Sequence, residues 1–335
     1  MADKEEQVQQ FQGVGLDIGT MNVIAARRGP EGVTTKRMRD LFLDLPLSAK
    51  KMLKISDTSF VERGRDILIL GDAALEVANV FGREPRRPLA AGLISSKETD
   101  SLEVLGLLIR SVLGKPMFEN EPCVFSVPAP PIDADRDVIY HQKTFDGILR
   151  KLGYIPEAST EAMGIVFSEC AEDKFSGLCF SFGSGMTNVV LAINTLEGLS
   201  FAVSRGGDWI DQRAAESVGA TKARICALKE SGVDLTKPKD RNEQAIVFYY
   251  EALIDYALEQ VAARFRVSGD QFALTRPIPL VVAGGTALAG GFMGLFEKVF
   301  AKHKEAGFPI EISSIKLAKD PLNAIAYGML VQAQA

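Results

Sequence analysis

Histidine is nearly missing from this sequence, with only His141 and His303 among 335 residues. A histidine-built metal centre or a histidine-dependent triad has too little to work with. Cysteine is sparse as well. Cys123, Cys170, Cys179 and Cys226 are scattered without a CxxC pair, and read as buried free thiols of a reducing compartment rather than disulfides or zinc ligands. No apolar run approaches the ~20 residues a membrane-spanning helix needs. The polar, acidic opening MADKEEQVQQFQG has neither a signal peptide's apolar region nor an amphipathic membrane face. Net charge is −5, and the arginines at Arg83, Arg86 and Arg87 lie among prolines and read as a solvated loop, so nothing forms a nucleic-acid footprint. These absences predict a cytoplasmic protein with no direct nucleic-acid partner and no membrane insertion.

Several phosphate and nucleophile grammars are missing too. There is no GxxxxGK[ST], which excludes a P-loop NTPase. GSGMTN lacks the third glycine of a dinucleotide fingerprint and leads into a strand pattern rather than a helix. No GxSxG elbow offers a hydrolase nucleophile.

What is present is a chain of 47% hydrophobic and 24% charged residues, enough to bury a large core as two domains or one large α/β unit. Residues 13–26, GVGLDIGTMNVIAA, read as two strands around a small-residue turn. Residues 30–95 are mixed, with strand signal in DILILG and helical signal in DAALEVANVF. Helical patterns cover Ser101–Leu113 and Asp135–Leu152, with the strand CVFSVPA between them. The second half repeats the plan. CFSFGSGMTNVVLAI is strand, glycine turn and strand, and FAVSRGGDWIDQRAAESVG ends a strand at two glycines and opens a helix. Asn242–Phe265 carries an apolar stripe of period near 3.6 and reads as core. IPLVVAGGTALAGGFMGLFEKVF reads as strand, glycine turn and helix.

Three of these turns share one physical theme. In LDIGTMN, Asp17 ends a strand and Gly19 and Thr20 offer amides with no bulky Cβ in the way. In SFGSGMTN, Gly183, Ser184 and Gly185 do the same, and Ser184 and Thr187 add hydroxyls. In VVAGGTALAGG, Gly284 and Gly285 are expected to precede a helix whose N-terminus suits an anion or a nucleotide edge. One glycine turn is only a turn; three in this order, with an acid in the first, are far more specific.

Together the residues resemble the actin-like ATPases. LDIGTMN is similar to their first phosphate loop, FSFGSGMTNV to the second and LVVAGGTALAGG to the adenosine loop, while STEAMGIVF and NAIAYGML resemble the two connecting helices. Within that superfold the sequence is most similar to bacterial MreB- and MamK-type filament proteins, through GREPRRPLAAGLIS, Asn22 and SRGGDWID. The resemblance implies a two-lobed α/β fold, each lobe a mixed-sheet RNase H-like core with an inserted small subdomain. It implies lobe I at 12–155 with an insert near 30–95, and lobe II at 156–335 with an insert near 205–275. ATP or ADP with Mg²⁺ would lie in the cleft between them.

Carried onto this chain, Asp17 would hold Mg²⁺ through a water, and Gly19, Thr20, Met21 and Asn22 would meet the β-phosphate. Gly183, Ser184, Gly185, Met186 and Thr187 would clasp the β- and γ-phosphates, and Glu161 would orient the attacking water. Gly207, Lys229, Gly284, Gly285 and Thr286 would line the adenosine. Glu161 reads equally as a solvated acid at a helix start. Asp208 and Asp211 read as residues that cap and begin a helix, and Trp209 as packing.

Two departures stand out. Ser181 occupies the place of the family's second aspartate, which removes a negative charge opposite Mg²⁺ and predicts weaker metal binding or slower hydrolysis. The adenine-side Ala-Glu-x-x-Lys pattern is missing from ATKARICALKESG, leaving Lys222, Arg224 and Lys229 as rivals for the base or ribose. The leading expectation is a polymerising, nucleotide-binding cytoskeletal protein that associates with itself head to tail and serves an unidentified cargo or adaptor. A non-polymerising nucleotide-binding adaptor is the alternative, and a small-molecule kinase ranks last. Leu41, Phe42 and Leu43 could project from a small lobe as an apolar contact loop, but core packing is the stronger reading.

Overall fold

A computed structural model describes residues 13–268 and 274–335. The polar opening segment before residue 13, and residues 269–273 of the second expected insert, lie outside the described residues. The chain opens with the antiparallel hairpin β1 (Val14–Ile18) and β2 (Asn22–Gly29), extended by β3 (Gly32–Arg39). An insert follows: β4 (Phe42–Pro46), α1 (Lys50–Ile55), β5 (Val61–Arg63), β6 (Asp66–Leu70), α2 (Asp72–Phe81) and the short hairpin β7 (Leu89–Ala90) with β8 (Leu93–Ile94). Helix α3 (Ser101–Leu113), β9 (Pro122–Val127), α4 (Val138–Lys151) and β10 (Ile155–Thr160) complete a five-stranded sheet of order β10-β9-β1-β2-β3.

The second half then runs α5 (Glu161–Glu169), β11 (Gly177–Phe182), β12 (Thr187–Ile193), β13 (Leu196–Val203), α6 (Gly207–Val218), α7 (Lys222–Glu230) and the long α8 (Arg241–Ser268). It closes with β14 (Ile278–Ala283), α9 (Phe292–Glu305), β15 (Ile312–Leu317) and α10 (Ala324–Ala333). Its sheet order, β13-β12-β11-β14-β15, copies the first. In each sheet an antiparallel meander joins two parallel strands. The central strands β11 and β14 are buried along their whole length, as expected where both faces of a sheet are covered.

Local sequence accounts for most of these elements. Helix α3 buries Val104, Leu105, Leu108, Ile109 and Val112 along one stripe and ends at Gly114, whose φ of +73° suits only glycine well. The stripe on α8 is core, with Ile246, Tyr250, Leu253, Ala257 and Val261 all buried. Leu41, Phe42 and Leu43 are buried and project nowhere. Helix α4 begins later than its pattern, at Val138, because the Asp137 carboxylate accepts from the Ile139 and Tyr140 amides.

Helices α5 and α10 are the layer between the sheets. They share a buried cluster that takes Val124 from the first sheet and Cys179, Val190 and Val281 from the second. They cross very closely: a Cβ on Gly328 would lie 1.7 Å from the Gly164 carbonyl oxygen.

Candidate functional site

The first and second glycine turns are built alike. Gly19 N–H donates to the Asn22 carbonyl at 2.9 Å, and Gly183 N–H donates to the Met186 carbonyl at 3.0 Å. Among the described residues, the amides of Thr20 and Met21 in one turn, and of Ser184 and Gly185 in the other, have no protein acceptor. The turns meet. A Cβ on Gly185 would lie 2.4 Å from Thr20 Oγ1 and 2.3 Å from the Gly92 nitrogen, so only glycine fits there. Gly92 N–H, from the β7–β8 turn, donates to Thr20 Oγ1 at 3.0 Å. The carbonyls of the second turn are occupied from behind: Gly207 N–H and Asp208 N–H donate to Gly183 and Ser184, and the Thr286 hydroxyl donates to Gly183. Donors are left free where a phosphate would need them.

These turns border a cavity of about 410 Å³ between the sheets, within the usual range for a small-molecule site. Asp17 and Glu161 lie in its wall. The Ser126 hydroxyl donates to Asp17 Oδ1 at 2.8 Å and accepts from the Ile18 amide. Asn188 Nδ2 donates to Glu161 Oε2 at 2.7 Å, its own carbonyl accepting from the Ala129 amide, and the Ser181 hydroxyl also bonds Glu161. Burial pushes Asp17 up to about 6 against the opposing Ser126 bond. Burial, and then the charge of Asp17, pushes Glu161 up to about 8. A pair of carboxyls held this way takes up positive charge, either protons or a hard cation.

Most expected residues converge on this cavity: Gly19, Thr20, Met21, Asn22, Gly183, Ser184, Gly185, Met186, Gly207, Lys229, Gly284, Gly285 and Thr286 all border it. Thr187 does not, because it is buried in β12 and its hydroxyl donates to the Arg205 carbonyl. Gly284 and Gly285 open a short 3₁₀ turn, Gly285–Leu288, and α9 starts only at Phe292, so no long helix dipole points at the site from there. Glu161 does stand at the start of α5, half-buried, with its carboxylate on the cavity wall and bonded to Asn188. Asp208 begins α6, in its first turn, as expected, but neither acid caps it: the N-cap is Gly206, and the two acids are ion-paired, Asp208 to Arg87 and Lys222 and Asp211 to Lys229. Among the three basic rivals, Lys229 borders the cavity, tied to Asp211 at 2.7 Å and the Gly207 carbonyl at 3.0 Å. Trp209 packs edge-on against Tyr249. The arginine cluster is no free loop, since Arg86 pairs with Asp44, Glu98 and Asp100.

The wall also holds residues the local patterns did not single out, including Arg37, Arg39, Cys226, Glu230 and Leu322. Alternation in VTTKRMR places Arg37 and Arg39 on one side of β3, which is the signal available for them. Among the described residues no group of His, Cys, Asp and Glu could hold a metal ion alone, and no helix is long and apolar enough to cross a membrane.

A profile of the family described as Volactin matches residues 13–333. The chain belongs to the Volactin family. Its fold is shared with solved structures at low identity. A MamK double helical filament superposes with a TM-score of 0.73 at 17% identity, covering 96% of this chain and 98% of that one. MreB5 of Spiroplasma citri bound to AMPPNP gives 0.63 at 15%, over 94% and 93%. The ethanolamine utilization protein EutJ of Carboxydothermus hydrogenoformans gives 0.55 at 14%, over 96% and 89%. No curated protein sequence matches. These likenesses establish the two-lobed actin-like fold for the Volactin chain, with the paired sheets as the cores of its lobes.

Proposed function

We propose that this chain is a prokaryotic actin-like cytoskeletal protein that binds ATP or ADP between its lobes and assembles head to tail with copies of itself. One observation carries the reading. Equivalent glycine turns from the two sheets meet at Thr20, Gly92 and Gly185, with free amides beside a cavity walled by Asp17 and Glu161. A MamK filament and an AMPPNP-bound MreB5 on the same fold support it. Lobe I is taken as 12–155 with an insert near 30–95, and lobe II as 156–335 with an insert near 205–275.

The donor set fits Mg²⁺. The carboxylates of Asp17 and Glu161 are hard oxygen ligands, and Mg²⁺ commonly takes one or two of these, completing its shell with water and phosphate. Asp17 would hold it through a water; bound there, it would supply charge neutralisation at the β- and γ-phosphates. The free amides of Thr20, Met21, Ser184 and Gly185 would grip those phosphates. Glu161, oriented by Asn188, would place the attacking water and receive its proton. Gly207, Lys229, Gly284, Gly285 and Thr286 would border the nucleoside. In-line hydrolysis needs such positioning and no covalent nucleophile.

Pelleting of purified protein with ATP, with ADP and without nucleotide, followed by electron microscopy, tests the proposal. ATP-dependent filaments are expected, and a protein that stays monomeric at high concentration under all three conditions overturns polymerisation. Ser181 favours a second reading, an adaptor that binds nucleotide without turning it over, because its hydroxyl brings no charge to the metal side of the cleft. Phosphate release separates the two: brisk turnover by the native protein sinks the adaptor. A silent native protein that Ser181→Asp activates by roughly tenfold or more supports it, since one charge in a closed site is worth at least ~1.4 kcal/mol.

A further inference from the structure

A second cavity, again of about 410 Å³, opens between the β7–β8 hairpin and the first turn of α4, and it shares no lining residue with the one between the sheets. Ala90, Ala91, Leu93 and Ile94 make one side of it apolar. The other side is polar and poorly satisfied. His141 borders the cavity and is only 1% exposed, yet neither ring nitrogen has a partner. Burial holds its pKa down at about 3, so the ring is neutral and keeps one N–H to give. Lys97, in the same wall, has no ion pair among the described residues, and Arg136 donates only to the Ala91 carbonyl, at 3.2 Å. The hydroxyls of Ser95 and Tyr140 have no protein partner among the described residues either. The one acid in the wall, Asp137, is engaged by the Ile139 and Tyr140 amides of its own helix.

A buried imidazole with two orphan nitrogens is costly and calls for an explanation. Two cations without carboxylate partners, two free hydroxyls and a neutral donor around an apolar pocket describe the missing partner: a small anion with an apolar body. We propose that this cavity is a second ligand site, for a small organic acid whose carboxylate is taken by Arg136 and Lys97 and bonded by His141, while its body lies against Ala90, Leu93 and Ile94. Such a ligand would act on the first glycine turn. Ala91 is held at a φ of +47°, strained for a residue other than glycine, and Arg136 grips its carbonyl. The next amide, Gly92 N–H, is the one that donates to Thr20 Oγ1. An acid that draws Arg136 off Ala91 frees the hairpin at the point where it meets that turn.

Having only two histidines makes the test direct. Benzoate titrated into nucleotide-free protein is expected to shift the imidazole NMR signals of His141 and to leave those of His303 in place. Benzamidine, its cationic counterpart, is expected to shift neither. By calorimetry, Arg136→Ala and Lys97→Ala should each weaken benzoate by about three- to tenfold, as should His141→Phe, which keeps a ring against Phe145 without the nitrogens. No shift at His141 with millimolar benzoate, or an equal shift with benzamidine, overturns the site. Full benzoate affinity in His141→Phe overturns the part given to His141, and Arg136 and Lys97, both exposed, keep the test alive should that variant fail to fold. The coupling, unlike the site, rests on the nucleotide reading above. Benzoate should alter the Kd of AMPPNP by about twofold or more, and AMPPNP that of benzoate by the same factor. Unchanged AMPPNP affinity, or a change that Arg136→Ala keeps in full, overturns the coupling. A protein that binds benzoate but no AMPPNP overturns the nucleotide reading and leaves the second site standing.

Discussion

At the scale of single residues the decisive pair is Asp17, buried, and Glu161, half-buried in the same cavity wall, whose charges repel. In protein without nucleotide and Mg²⁺, Glu161 titrates near 8 because of burial first and the Asp17 charge second. The folded chain therefore holds a proton there that the unfolded chain gives up above its ordinary value of 4.5. Folded protein binds more protons than unfolded, so stability falls as pH climbs from about 4.5 towards 8 and levels off beyond. Asp17, raised to about 6, adds to the lower part of that window. Glu161→Gln takes away the larger contribution and still offers Asn188 an acceptor. Melting followed between about pH 5 and 8.5 should be flatter in the variant, with Tm higher than wild type by roughly 5 °C at the alkaline end. Equal slopes for the two proteins would show that the Glu161 carboxyl is not held in its protonated form.

At the scale of elements, the close crossing of α5 and α10 is the feature most exposed to a single change. A Cβ on Gly328 would meet the Gly164 carbonyl carbon at 2.4 Å as well as its oxygen, and backbone cannot rotate away as a side chain can. Gly328→Ala should force these helices apart and cost about 3 kcal/mol or more, read as a lower urea midpoint; an unchanged midpoint would mean that the crossing yields freely. Both helices were legible only through the family resemblance of STEAMGIVF and NAIAYGML, whereas the glycine turns and the ends of α3 followed from periodicity and glycine placement, which are local signals. What escaped was set by distant partners. Asp208 looks like a helix cap until Gly206 is seen pressed against the Ser184 and Gly183 carbonyls, which leaves the aspartate to Arg87, 121 positions away. Thr187 looks like a phosphate ligand until the Arg205 carbonyl claims its hydroxyl. Arg37 and Arg39 enter the cavity wall only because β3 pairs with β2, Asn22 opposite Arg39 and Ile24 opposite Arg37.

At the scale of the whole molecule, the two sheets are separate cores tied by one shared helix layer, and the cavity lies where both lobes contribute walls. A ligand there contacts both lobes at once and is lost when either unfolds. Its effect on melting is therefore that of a ligand bound only by the intact chain. At about a hundredfold excess over its Kd, ATP or AMPPNP with Mg²⁺ should add ~2.7 kcal/mol, an upward shift of roughly 5 °C. Once the site is saturated, a one-to-one ligand gives a shift that no longer depends on how much protein is present. Head-to-tail assembly behaves differently, because each added subunit is a further partner available only to folded protein, and Tm then climbs with protein concentration. Scanning calorimetry at fixed, saturating AMPPNP over a range of protein concentrations separates the two proposed functions within one experiment. A shift that grows with concentration is expected of the filament-forming protein, and a constant shift would assign the cleft to an adaptor that binds nucleotide and stays single.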